Sequence, residues 1–230
     1  MVAIFVALMF VGLVLTDLAV EKWQAWRVAH PAQARSPRPA VTAYGLDAWR
    51  QVPEGVHLAN QHTWIRPDPT GGLEIGADAL IVHAVGAVRR IVLPKVGDEV
   101  TAGQPLFRLE QHGRAITIPS AMTGRVMAVN TRLADQPELL SSDPYGSGWI
   151  CYLNPTRAEE ATAGVRFGEQ AAMWLENEFA RFREFIFAQS SPDLALGATS
   201  QDGGLPALGC LSELGSTAWS AFETNFLHRP

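Results

Sequence analysis

Lysine is nearly absent from this chain of 230 residues: of its 18 basic side chains only Lys22 and Lys95 carry an amine, and the rest are arginines. Any chemistry or modification that needs a primary amine is confined to those two positions. Cysteine is as scarce. Cys151 and Cys210 have neither CxxC spacing nor the density of a disulfide framework, and two thiols cannot complete a four-cysteine zinc site. Positive charge is in deficit too, with 18 Lys+Arg against 23 Asp+Glu and a formal charge of −5, so nothing global favours a nucleic-acid partner. No HExxH, GxSxG, P-loop or GxGxxG occurs. The six histidines are His30, His57, His62, His83, His112 and His228; only His57 and His62 lie within five residues of each other, and no metal site is expected. No nucleophile stands beside a plausible base. The expectation is a non-enzyme with no catalytic residues and no cofactor.

What is present is 47% hydrophobic residues, enough to fill a core. The first block of them is one run. Met1 to Thr16 carries no charge, and Leu18, Ala19 and Val20 extend it past Asp17. At about 1.5 Å per residue, about twenty residues span a hydrocarbon layer of about 30 Å. Trp23 and Trp26 follow where an aromatic belt lies, and Lys22, Arg27, Arg35 and Arg38 are all on the C-terminal side. The positive-inside rule then puts the bulk of the chain in the cytoplasm. Residues 1–22 therefore read as a single-pass anchor in a bacterial inner membrane, with Trp23, Trp26 and Arg27 at the interface. The competing reading, a cleaved signal peptide, lacks a basic n-region and a convincing small-x-small cleavage site after the run. Residues 23–56, broken by Pro31, Pro37, Pro39 and Pro53, read as a linker.

Residues 57–154 change character. Short β-branched runs separated by turn signals, Leu73–Ile75, Ala79–Val82, Val88–Leu93, Pro105–Leu109, Ala115–Ile118 and Gly124–Val129, predict a mainly β domain, a sandwich or flattened barrel. Ile91-Val-Leu-Pro94 followed by Val96–Val100 is echoed by Ile116-Thr-Ile-Pro119 followed by Met122–Val126. That faint repeat fits two similar halves.

Several stretches are specific enough to suggest a family: Leu93-Pro-Lys-Val-Gly-Asp-Glu-Val100 with Gly103, Pro119 to Val126 with Asn130, Gln136-Pro-Glu-Leu-Leu140, and above all Asp143-Pro-Tyr-Gly-Ser-Gly-Trp149. Together with His62-Thr-Trp64 they resemble the glycine cleavage system H protein. The resemblance implies a lipoyl-type β sandwich with short helices, and a lysine at a hairpin tip that carries lipoic acid as a swinging arm. Here the corresponding tip reads Glu110-Gln-His-Gly-Arg-Ala115, and ungapped alignment to the downstream Gly-x-Val puts Gly113 at the lysine. Arg114 is no substitute, because guanidinium stays protonated and is a poor nucleophile for acylation. The lipoate carrier function is expected to be lost. His112, between Glu110 and Arg114, has the groups for acid/base work, but a solvated tip explains it more simply.

The last third is apolar. Residues 155–189 carry an amphipathic pattern with Trp174, Phe182 and Phe185, expected to be a helix that covers either its own β domain or a partner. Residues 190–230, with Trp219, Phe222 and Phe226, are too apolar for a solvated linker. They are expected to fold into a partner's groove, with these six aromatic residues as contacts.

The combined reading is an anchored, H-protein-like module without its carrier lysine, serving as a non-catalytic accessory or scaffold subunit. Its partners would be integral membrane subunits of a larger complex, such as one for respiratory or photosynthetic electron transfer. One rival is a periplasmic adaptor of an export system, which would place the β domain outside; such adaptors usually insert a helical hairpin, and no heptad run separates Val88 from Asn130. Another is a true lipoyl carrier of glycine cleavage.

Overall fold

The computed structural model describes residues 51–69, 71–156, 164–189 and 206–228. Among the described residues ten strands form two antiparallel sheets: β1 (His57–Leu58), β2 (Thr63–Pro67), β3 (Leu73–Ala77), β4 (Arg90–Val92), β5 (Glu99–Val100), β6 (Pro105–Gln111), β7 (Arg114–Pro119), β8 (Gly124–Val129), β9 (Cys151–Pro155) and β10 (Arg166–Phe167). The larger sheet runs β10-β1-β2-β3-β9-β8-β5 and the smaller β4-β6-β7. Their apolar sides share one core, with Ile65, Ile75, Val126 and Leu153 from the first and Leu109, Ile116 and Ile118 from the second. Strand β8 shows how the sequence directs this: Gly124, Val126 and Ala128 face inward while Arg125 and Met127 are exposed, the period-two pattern of a half-buried strand. The internal repeat has a structural counterpart. Each copy gives one strand to each sheet, β4 then β5 and β7 then β8, and β5 pairs directly with β8.

One expected strand is a helix. Ala79–Val82 lies in α1 (Ala79–Val85), and six of its seven residues are buried. A short helix buried all round has the same apolar run as a core strand. The deciding group is Asp78, whose carboxylate accepts the N–H groups of Leu80 (3.0 Å) and Ile81 (3.2 Å) and so caps the helix. Two short turns, α2 (Arg132–Asp135) and α3 (Leu139–Ser142), precede the Asp143 loop. That loop tethers the sheet's interior: Trp64 Nε1 donates to the Pro144 carbonyl at 2.9 Å, the Arg66 guanidinium donates to the Tyr145 carbonyl, and the Tyr145 hydroxyl accepts the Ala79 N–H at 3.2 Å. Asn130 Nδ2 donates to the carbonyls of Ser147 and Trp149, both at 2.8 Å. The motif thus satisfies buried polar groups that the strands leave unpaired.

After β10 comes α4 (Gly168–Gln189), whose buried stripe is Ala171, Leu175, Glu178, Phe179, Phe182 and Ile186. A 3-10 turn (Cys210–Glu213), α5 (Ser216–Phe222) and a π turn (Glu223–Leu227) close the described chain. Here the structure corrects the expected partner contacts. Phe182, Trp219, Phe222 and Phe226 are buried in this chain's own core, and Trp174 and Phe185 pack half-buried against it. Phe182 meets Phe222 and Phe226 edge-on at 5.7 and 6.0 Å, and Phe222 stacks on Phe226 at 4.8 Å. The reason is local. Strand β7 is an edge of the smaller sheet, and the tail covers it, with Glu223 accepting the Thr117 N–H at 2.6 Å. Folding onto one's own sheet also avoids the translational and rotational cost of association.

Among the described residues no helix is long and apolar enough to cross a membrane. The expected anchor at residues 1–22, with Trp23, Trp26 and Arg27, lies outside the described residues.

Candidate binding site at the hairpin tip

The β6–β7 hairpin turns through two residues, His112 (φ +46°) and Gly113 (φ +78°). Two successive left-handed residues match the right-handed twist of the flanking strands, and glycine meets that demand without strain. A Cβ at Gly113 would touch nothing within 4 Å, so the tip is open to solvent. Neither lysine is near it in sequence. Lys95 lies between β4 and β5, where its backbone N–H donates to Asp98 Oδ2 at 2.9 Å.

Beside the tip is an open cleft of about 560 Å³ lined by Arg89, Arg90, Arg108, Glu110, Gln111, His112, Gly113, Arg114 and Ala134. Strand register gathers the charges, because Arg90 lies opposite Glu110 and Val92 opposite Arg108. Glu110 sits 3.7 Å from Arg90 and 3.5 Å from Arg108, loose solvent-facing pairs of small energetic value. Arg114 is held more firmly, its Nη1 donating to the Ser212 carbonyl of the C-terminal segment at 2.7 Å. Gln111 is 5% exposed and by strand alternation faces inward with Leu109, away from Arg108 and Glu110. Its Nε2 donates to the Ala87 carbonyl at 2.9 Å, while its buried Oε1 has no hydrogen-bond partner among the described residues.

A second polar cluster lies inside the domain, at the seat of α4. His62 adopts φ +57° and is fully buried. Its Nδ1 is 2.8 Å from Asp78 Oδ2 and its Nε2 3.5 Å from Glu178 Oε2, with Glu178 also bound to Arg181. Trp174 stacks on the imidazole at 5.0 Å. Burial alone would lower the His62 pKa, but the adjacent Asp78 and Glu178 carboxylates outweigh it and raise it to about 9. The imidazolium is therefore a tie between the β domain and α4. Burial pushes the Cys151 and Cys210 thiols up to about 12, which makes them inert at neutral pH.

The family model described as glycine cleavage H-protein matches residues 56–178. The chain belongs to the glycine cleavage H-protein family. Among curated relatives, the glycine cleavage system H proteins of Shewanella oneidensis and Shewanella sp. (strain ANA-3) are each 36% identical over 112 residues, covering 49% of this chain and 87% of the relative. The protein of Shewanella denitrificans is 34% identical over the same length. A crystal structure of a glycine cleavage system H protein from Mycobacterium marinum aligns with TM-score 0.46 and 27% identity, over 55% of this chain and 98% of that one.

The H-protein match ends at Glu178, within α4, so the aromatic tail lies beyond it. Of the residues singled out in the sequence, Gly113 is at the tip, Phe182, Trp219, Phe222 and Phe226 are in the core, and Trp174 and Phe185 pack half-buried against it. The cleft arginines Arg89, Arg90 and Arg108 escape sequence reasoning because each looks like an ordinary exposed residue in or beside a strand. Only the register against Glu110 brings them together. Asp78 and Glu178 carry no motif; their one signal is a carboxylate ahead of an apolar run in the first case and inside an apolar stripe in the second.

Proposed function

We propose that this H-protein family member does not carry lipoate and acts as a non-catalytic accessory or scaffold subunit. In this reading it belongs to a larger integral membrane complex, such as one for respiratory or photosynthetic electron transfer. Residues 1–22 would hold it in a bacterial inner membrane, with the β domain on the cytoplasmic side. The supporting observation is the tip itself: a His112-Gly113 turn flanked by Gln111 and Arg114, with no amine to acylate. Phe182, Trp219, Phe222 and Phe226 are buried in the chain's own core, so in this proposal the partner contact falls on residues that remain accessible, with the half-buried Trp174 and Phe185 among the candidates.

The test is purification of the full chain from its native membrane in mild detergent, with mass spectrometry of the intact chain and of co-purifying proteins. The expected result is an unmodified mass together with stoichiometric integral membrane subunits. A solitary chain would overturn the accessory role. A lipoyl adduct would overturn the loss of the carrier function and favour the second reading, a lipoyl carrier of glycine cleavage. That reading has family membership in its support and would have to use Lys22 or Lys95.

A further inference from the structure

Four arginines and a single glutamate line one open cleft beside a turn that offers nothing to acylate. Such a concentration is unexpected on a chain whose formal charge is −5. It is not consumed internally: the two ion pairs to Glu110 are long and exposed, and together they offset one of the four positive charges. A cleft of this size is in the range of small-molecule sites. Guanidinium forks match the oxygens of phosphate in geometry and charge.

We infer that the Arg89–Arg90–Arg108–Arg114 cleft binds a phosphate monoester. A dianion neutralises the surplus charge better than a lone carboxylate does. Arg114, tied to Ser212, is the fixed member of the set. Arg89, Arg90 and Arg108 are exposed, Arg90 and Arg108 held only by the long pairs to Glu110. The phosphate can come from a soluble polyol phosphate or from a lipid headgroup. This inference rests on the cleft and holds whether or not the accessory-subunit reading does.

The experiment is titration of the detergent-solubilised full chain with glycerol 3-phosphate by calorimetry, at constant ionic strength and against sulfate as control. A parallel arm measures the reconstituted chain's thermal shift in phosphatidylcholine vesicles with and without phosphatidate. The expected result is saturable binding in at least one arm, weakened about tenfold or more by Arg89→Ala with Arg108→Ala. Binding confined to the first arm identifies a soluble ligand, and binding confined to the second a lipid headgroup. Both substitutions are on exposed side chains, and an unchanged melting curve of the ligand-free variant confirms its fold; Arg89→Lys with Arg108→Lys provides a second variant that keeps charge but loses the fork. Absence of saturable binding in both arms overturns the inference. So does binding that sulfate matches or that the double alanine variant retains.

Discussion

Gly86 and Gly209 meet backbone to backbone: a Cβ on Gly86 would lie 2.6 Å from the Gly209 Cα. Both have left-handed φ values, +72° and +75°, and the Gly209 N–H donates to the His83 carbonyl at 2.8 Å. His83 adds a second tie, its Nε2 donating to the Pro206 carbonyl at 2.7 Å. The C-terminal segment is thus seated on the end of α1 at a point where no side chain fits.

Gly86→Ala should unseat that segment. It combines a disfavoured φ with a clash against backbone, and the expected cost is more than about 1 kcal/mol. Denaturant melts measure the loss. Thiol alkylation locates it, because Cys210 belongs to the segment and Cys151 to β9, and both are buried in the native fold. Cys210 should become reactive in the variant while Cys151 stays protected. Simultaneous labelling would mean that the segment and the sheet open as one unit.

Phe226→Ala should destabilise the whole domain by about 3–5 kcal/mol, the usual result of emptying an aromatic site in a core. Phe226 is 1% exposed and contacts Phe182, Phe185 and Phe222. A partner-docking residue would behave differently, leaving the melting point of the isolated chain unchanged. Differential scanning fluorimetry separates the two.

Stability should fall as pH rises from about 6.5 toward 9. His62 has a raised pKa in the fold, so the native state holds its proton more tightly than the unfolded chain does. Its contribution is complete below the ordinary value of 6.5 and vanishes as the pH passes about 9. His83 acts in the opposite sense, because burial lowers its pKa despite the favourable Pro206 carbonyl; protonation below pH 6.5 therefore favours the unfolded chain. Urea melts across this range should show the alkaline slope in the wild type and lose most of it in His62→Gln. Asp78→Asn, which strips the imidazolium's nearest counter-charge, should cost on the order of 3–5 kcal/mol at neutral pH.

Gly113→Lys should restore an amine at the tip at a cost of about 1–2 kcal/mol, because a side chain there must hold a left-handed φ. Space is no obstacle. Incubation with a lipoate ligase, lipoate and ATP, followed by intact mass measurement, should add one lipoyl group to the variant and none to the wild type. An adduct on the wild type would show that Lys22 or Lys95 is an acceptor.

The β architecture is legible in the sequence because its signals are local: alternation in β8, a tight turn at His112-Gly113, and the Asp143 loop that matches a family. The helical state of Ala79–Val85 is not, since burial on all sides erases the helical period and only the Asp78 cap distinguishes it. The destination of the tail is hidden for a related reason. Composition shows that Trp219, Phe222 and Phe226 need cover, but which surface supplies it depends on the unprotected edge of β7, a property of sheet order. The arginine cleft is likewise a product of strand register and has no signature along the chain.

The late position of the aromatic tail also constrains how the protein is made. Strand β7 and helix α1 emerge from the ribosome well before Phe222 and Phe226 are synthesised, so the nascent sheet passes through an interval with an open edge and an unfilled aromatic slot. During that interval it can pair with other chains. A translational pause between β9 and α5 would lengthen the exposure, and a chaperone that holds extended apolar surface would find its substrate there.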